Sequence, residues 1–155
     1  MIQRIQTLYL LAIVILSCIT FFLPVADLIQ ASSGIQYLVD FKGIYLVKAS
    51  GNSFNSSVWG LTAIAAIIPI FTLYAIFSYK NRIKQIRLCV LNMLFMLLYY
   101  VFLITYVWLA SQRLSADWHL RFVTVFPLIN LIFNYLAIGG IGKDEKLVKS
   151  LDRLR

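Results

Sequence analysis

The sequence is poor in charge, in histidine and in cysteine. Charged residues make up 13% of its 155 residues, about half the ~25% of a soluble domain. Hydrophobic residues make up 61%, against about 45–50% in soluble proteins. This composition excludes a disordered chain and an ordinary cytosolic enzyme. The two cysteines cannot build the disulfide framework of a small secreted domain.

The scarcity of histidine and cysteine also excludes most kinds of catalytic site. His119 is the only histidine, so the chain lacks the clustered ligands of a zinc site. Cys18 and Cys89 form no C-x-x-C pair for thiol redox chemistry. A glycine-rich phosphate loop is also missing. We therefore predict no catalytic residue, no metal ligand and no cofactor, and we do not expect an enzyme.

Four stretches contain no charged residue and are long enough to cross a bilayer. A transmembrane helix needs roughly 20 apolar residues to span ~30 Å of hydrocarbon, and it satisfies its own backbone groups, as lipid requires. The sequence therefore predicts a single all-α membrane domain, a four-helix transmembrane bundle. The predicted spans are residues 5–25, 59–79, 88–109 and 122–141.

Lysine and arginine are distributed unevenly between the two sides of this bundle. Four spans place both termini on one side, which carries ten of the 14 basic residues, while the other side carries four. Positive charge marks the cytoplasmic side. Trp59, Trp108 and Trp118 fall on the opposite side, as in an aromatic belt. Both termini are therefore predicted to be cytoplasmic, and the net charge of +8 is attributed to topology rather than to nucleic-acid binding.

The outer loop, residues 26–58, is predicted to contain a short β-hairpin. Residues 35–41 and 44–47 are rich in β-branched and aromatic side chains, and a Lys-Gly pair between them can turn. Two strands alone are marginal in water, so the hairpin is expected to pack on the helix ends or to take a third strand.

The cytoplasmic tail, residues 142–155, is predicted to form a short amphipathic helix on the membrane surface. Leu147, Leu151 and Leu154 recur at helical spacing. Gly139, Gly140 and Gly142 loosen the inner end of span four, where this segment begins. A solvated tail without structure is the alternative interpretation.

Three asparagines lie inside the predicted spans, namely Asn92, Asn130 and Asn134. No Lys, Arg, Asp or Glu lies there, which argues against a proton-coupled carrier or a voltage sensor. Asn92 and Asn134 both fall in the cytoplasmic half, and we expect them to approach each other, directly or through one water. The asparagines are interpreted either as hydrogen bonds between helices or as a polar pocket for a lipid headgroup or a quinone.

Both ends of the chain resemble a known family. Residues 1–10 and 143–155, together with residues 81–88 between spans two and three, are similar to the corresponding segments of small four-pass membrane proteins from Bacteroidota. That family is a domain of unknown function. The resemblance covers the whole chain and implies a location in the bacterial inner membrane without implying an activity.

The family-like residues outside the spans are all cytoplasmic, so we predict an interaction surface there. At least one tail acid is expected to pair with Arg4 or with a base of the loop before span three, such as Arg82, Lys84 or Arg87, because opposite charges relieve repulsion between the bases. The predicted surface consists of Gln3, Arg4, Gln6, Arg82, Gln85, Arg87, Lys143, Asp144, Glu145, Asp152, Arg153 and Arg155.

Two functions fit these features. The first is a non-catalytic accessory or scaffold subunit of a larger inner-membrane assembly, in contact with membrane lipids and with another integral membrane protein. The second is a membrane protein, an enzyme included, that binds a lipid or a small molecule among the helices or under the outer loop, where Tyr37, Tyr45 and Phe54 could line a site. An adhesion module of the four-pass junction type is less well supported, because the loop lacks paired cysteines. The sequence does not predict the oligomeric state.

Overall fold

The computed structural model describes residues 3–30, 34–47, 53–79 and 81–152, with the side chains of residues 3, 4, 55 and 146–152 outside the description. These residues contain four long helices and a small sheet. The helices are α1 (Gln3–Phe22), α2 (Trp59–Phe77), α3 (Arg82–Leu114) and α4 (Phe126–Asp152), and a 3₁₀ turn at Phe122–Val125 leads into α4.

All four helices are long and apolar enough to cross a membrane, by length and composition. Large apolar side chains such as Leu8, Leu94 and Ile104 are exposed on the outside of the bundle, while others such as Ile13 and Met96 are fully buried inside it. A helix that is apolar on both its inner and its outer face suits a hydrocarbon environment better than water. The predicted set of four long apolar helices is therefore confirmed.

Each helix packs against two neighbours, in the cyclic order α1, α2, α3, α4. Gly60 lies at a close contact between α2 and α3, because a Cβ atom there would be 3.0 Å from the Tyr106 hydroxyl and 3.2 Å from the Phe102 ring. Small residues allow helices to approach each other closely in a membrane bundle. Thr72, in the second half of α2, is fully buried.

A five-stranded antiparallel sheet covers one end of the bundle, which we call the sheet end. Its strand order is β4-β3-β2-β1-β5. All five strands lie in the connections between α1 and α2 and between α3 and α4. The strands are β1 (Ala26–Ile29), β2 (Gln36–Asp40), β3 (Gly43–Leu46), β4 (Ser53–Ser56) and β5 (Asp117–Leu120).

The predicted hairpin forms the centre of this sheet rather than a separate unit. Strands β2 and β3 pair from Tyr37↔Leu46 to Asp40↔Gly43, and the Asp40 carboxylate accepts a hydrogen bond from the Lys42 backbone N–H in the turn, at 3.0 Å. An isolated two-stranded hairpin is only marginally stable in water. Here three further strands extend the sheet on both sides of the hairpin. The hairpin turn is fastened to the bundle, since the Thr62 hydroxyl of α2 donates a hydrogen bond to the Phe41 carbonyl.

Several predicted boundaries need correction. Helix α1 ends at Phe22 rather than at residue 25, because Pro24 disfavours helical geometry in the residue before it. Helix α3 extends beyond the predicted span at both ends, since the polar residues that flank a span can continue the same helix. Helix α4 runs without interruption through its glycines to Asp152. The predicted tail helix is therefore the last part of α4 and not a separate element.

Candidate functional site

The end of the bundle opposite the sheet, which we call the basic end, brings together distant parts of the sequence. The first turns of α1, the turn between α2 and α3, and the second half of α4 meet there. The described residues of the predicted interaction surface lie at this end.

A buried hydrogen bond joins α1 to α4 at the basic end. The side-chain amide of Gln6 donates to Oδ2 of Asp144 at 2.7 Å across 138 residues of sequence. Only 6% of Gln6 and 7% of Asp144 are exposed. Gly140, one turn before Asp144, makes room for this contact, since a Cβ atom there would lie 2.9 Å from Cγ of Gln6. A hydrogen bond to a carboxylate in such a site is among the stronger kinds.

Helix α3 is connected to the same contact through Arg82. Nη1 of Arg82 donates to the backbone carbonyl of Asp144 at 2.6 Å. The three residues Gln6, Arg82 and Asp144, which we call the Asp144 network, therefore hold α1, α3 and α4 together. Arg82 and Asp144 do not form the predicted ion pair, because Arg82 bonds the backbone oxygen of Asp144, and the carboxylate accepts from the neutral Gln6 amide.

The predicted surface residues have different environments. Gln6, Gln85 and Asp144 are buried, Arg82 and Glu145 are half-buried, and Arg87 and Lys143 are exposed. The side chains of Gln3, Arg4 and Asp152 lie outside the description, as do Arg153 and Arg155 altogether. Composition alone cannot distinguish a polar residue that faces the bundle from one that faces outward, and so the sequence assigned both kinds to one surface.

A cavity of about 460 Å³ opens at the basic end between α1, α2 and α3. Its apolar wall was not predicted from the sequence, because those residues were assigned only to the cytoplasmic end of span two. The cavity is lined by Gln6, Thr7, Ile76, Phe77, Tyr79, Arg82 and Gln85.

The expected direct contact between Asn92 and Asn134 is not formed. Nδ2 of Asn92 donates to the Thr72 hydroxyl of α2 at 2.8 Å, and Nδ2 of Asn134 donates to the Cys89 backbone carbonyl of α3 at 2.9 Å. Each amide instead donates to an acceptor on another helix. The general interpretation as hydrogen bonds between helices fits both side chains.

Asn130 makes the third such bond, from its Nδ2 to the Ser17 hydroxyl of α1 at 3.1 Å. Within the described part of the chain, the Oδ1 atoms of Asn92, Asn130 and Asn134 are buried and accept no hydrogen bond. Each asparagine therefore uses its donor to connect two helices and leaves an acceptor inside the bundle.

A second cavity, of about 400 Å³, lies at the sheet end. It is lined by residues of the strands and of α3, among them Ile44, Ser56, Tyr106 and Arg113. Tyr45 and Phe54, which were expected to line a site here, pack against each other edge to face, with ring centroids 5.7 Å apart. Among the described residues, no three His, Cys, Asp or Glu side chains come together as a metal site requires.

Comparison with known proteins identifies a family and no activity. The sequence pattern of the family described as Domain of unknown function (DUF4293) matches residues 2–154. A comparison with curated proteins finds no match. The resemblance predicted from the two ends of the chain is thus confirmed as far as a family of unknown function.

Proposed function

Because the chain belongs to the DUF4293 family, a domain of unknown function, we propose a function from its structure: it is a non-catalytic accessory or scaffold subunit of a larger assembly in the bacterial inner membrane. The four long apolar helices support a multi-pass membrane protein. The uneven distribution of lysine and arginine supports a cytoplasmic basic end and an outer sheet end.

The observation that carries this proposal is the use of the polar side chains in the bundle. Gln6 and Asp144 bond each other, and the three asparagines each bond a residue of another helix. These groups fix the positions of the helices. A bundle whose helices are connected by these polar side chains is suited to presenting a surface to a partner.

The surface presented at the basic end is positively charged. Lys84 and Arg87 on the first turns of α3 and Lys143 on α4 are exposed, while the nearby Asp144 carboxylate is buried. The Asp144 network fixes α3 relative to α4, so these cations have defined positions. A partner with a complementary acidic surface is therefore expected, since charge complementarity gives specificity and faster association.

Co-purification tests the accessory role. We expect the tagged chain, extracted from native membranes in mild detergent, to bring down at least one integral membrane protein, and the tagged partner to bring down the chain. Arg87→Glu together with Lys143→Glu should lower the recovery of that partner by about tenfold, because reversed charges face its acidic surface. Lys42→Glu, an exposed reversal in the hairpin turn at the sheet end, is the matched control and should not change recovery. Recovery of the chain alone in several detergents would contradict the proposal.

Cysteine labelling tests the orientation. In a background with Cys18→Ala and Cys89→Ala, an impermeant thiol reagent added to cells with a permeabilised outer membrane should label Ser53→Cys and not Ser150→Cys. The background is compatible with the fold, because Cys89 contributes its backbone oxygen to the Asn134 bond. Labelling of Ser150→Cys alone would reverse the assignment.

A further inference from the structure

The cavity at the basic end lies where its helices begin and end. Its lining comes from the first turns of α1, the last residues of α2, the following turn and the first turn of α3. In a bilayer this position corresponds to the headgroup level rather than to the hydrocarbon centre. Its volume of about 460 Å³ falls in the range of small-molecule sites, roughly 300–1,000 Å³.

Gln85 supplies a polar group that the protein itself leaves without a partner. The residue is only 6% exposed and lines the cavity. Within the described part of the chain its backbone N–H bonds the Asn81 carbonyl, while its side-chain amide forms no hydrogen bond. Because Gln85 borders the cavity, its amide is suited to a hydrogen bond with a ligand there.

The amino terminus of α3 adds positive potential at the same place. The helix begins at Arg82, the Asn81 side chain makes no capping hydrogen bond, and the first turn contains no acidic residue. The free N–H groups of such a terminus attract an anion, phosphate above all. Arg82 itself lines the cavity, and one of its nitrogens is fixed by the Asp144 carbonyl, which leaves further donors of the guanidinium for an oxyanion.

The remaining walls are apolar. Ile76 belongs to them, and Phe77 and Tyr79 are well exposed at the mouth of the cavity. No Asp or Glu is found among the described residues that line it. The neighbouring Asp144 carboxylate bonds Gln6 and is buried. The cavity thus combines donors for an anion with an apolar wall for a hydrocarbon chain.

We propose that this cavity binds an anionic glycerophospholipid, with its phosphate on Arg82, Gln85 and the amino terminus of α3, and with an acyl chain along Ile76 and Phe77. The apolar wall favours a lipid over a free phosphate, because a soluble phosphate would leave that wall in water. The proposal rests on the membrane placement inferred above and not on the accessory role, so a failed co-purification would leave it standing.

Native mass spectrometry of the full chain tests the site. The protein is released from micelles that contain phosphatidylglycerol and phosphatidylcholine in equal amounts. We expect one phosphatidylglycerol to be retained per chain in preference to phosphatidylcholine. Arg82→Gln should weaken this binding by about tenfold, and Arg82→Lys by a few-fold, because lysine keeps the charge and loses the planar fork.

Lys84→Gln is the matched control, since Lys84 is exposed on the same turn and does not line the cavity. It should change lipid binding by less than about twofold, because an exposed charge outside the cavity adds only to the screened electrostatic attraction between the basic end and the anionic lipid. Equal losses for Arg82→Gln and Lys84→Gln, or equal retention of the two lipids, would overturn the proposal.

Two further measurements keep the test decisive. If Arg82→Gln does not fold, Gln85→Leu decides, because it removes only the buried amide and should also weaken retention of phosphatidylglycerol by several-fold. Unchanged retention in Gln85→Leu would count against the site. Glycerol phosphate, the soluble headgroup alone, should not compete at the same concentration. Competition as strong as that of the lipid would show that the acyl chain contributes nothing and would overturn the lipid assignment.

Discussion

Replacing Gly43 with alanine is expected to disrupt the β3–β4 half of the sheet and to leave the helix bundle folded. A Cβ atom at this position would lie 2.4 Å from the backbone oxygen of Ser56 and 2.7 Å from the Phe54 ring. The φ angle of +157° is also one that residues with a side chain rarely adopt. A ring can rotate away, but the Ser56 oxygen belongs to the neighbouring strand, so the two strands must separate.

The expected cost is about 3 kcal/mol of local stability, at the upper end of overpacking effects. Hydrogen–deuterium exchange of the purified protein in micelles measures it, as faster exchange of the β3 and β4 amides with unchanged exchange in the helices. Gly34→Ala is the matched control. Gly34 has a φ of +65° and open space around its Cβ position, so only the conformational cost of about 1 kcal/mol applies. Slow exchange at β3 in Gly43→Ala would contradict the predicted separation.

The helices could be predicted from the sequence because lipid imposes a simple rule. A span must be about 20 residues long and free of charge, and the four uncharged stretches satisfy it. The sheet was predicted only in its central hairpin, where the strands carry β-branched and aromatic residues. The sequence of β5 alternates polar and apolar residues over only four positions, and all four are exposed, so no buried face marks this strand. Its pairing with β1, from Ala26↔Leu120 to Ile29↔Asp117, joins residues about 90 positions apart.

The candidate site was predicted in its location and not in its chemistry. Gln6, Gln85 and Asp144 were correctly placed at one end of the bundle. The distribution of lysine and arginine indicates which end of each span lies on which side of the membrane, and these three residues all fall on the same side. Their burial could not be predicted, since it depends on how each helix is rotated about its own axis. The same limit applies to Asn92 and Asn134, whose depths were estimated well enough but whose partners, Thr72 and the Cys89 carbonyl, depend on helix rotation.

The glycines of α4 provide the sharpest test of the Asp144 network. A Cβ atom on Gly140 would lie 2.9 Å from Cγ and 3.3 Å from Nε2 of Gln6, whereas nothing lies within 4 Å of the same position on Gly139. Gly139→Ala should stabilise the protein by up to about 1 kcal/mol, because alanine is the better helix former. Gly140→Ala gains the same propensity but pushes Gln6 away from Asp144, and it should destabilise the protein by about 2 kcal/mol.

A double-mutant cycle separates this contact from the general effect of alanine in a helix. In a Gln6→Ala background no side chain remains for the new Cβ atom to displace, so Gly140→Ala should become neutral or stabilising, as Gly139→Ala is in the native chain. The free energy of unfolding in micelles, measured for all four variants by denaturant titration, gives the coupling. Stability changes of equal size and sign for Gly139→Ala and Gly140→Ala would show that Gln6 does not pack against α4. A coupling of about 2 kcal/mol would instead show that Gln6 packs against Gly140, because the glycine then matters only while the Gln6 side chain is present.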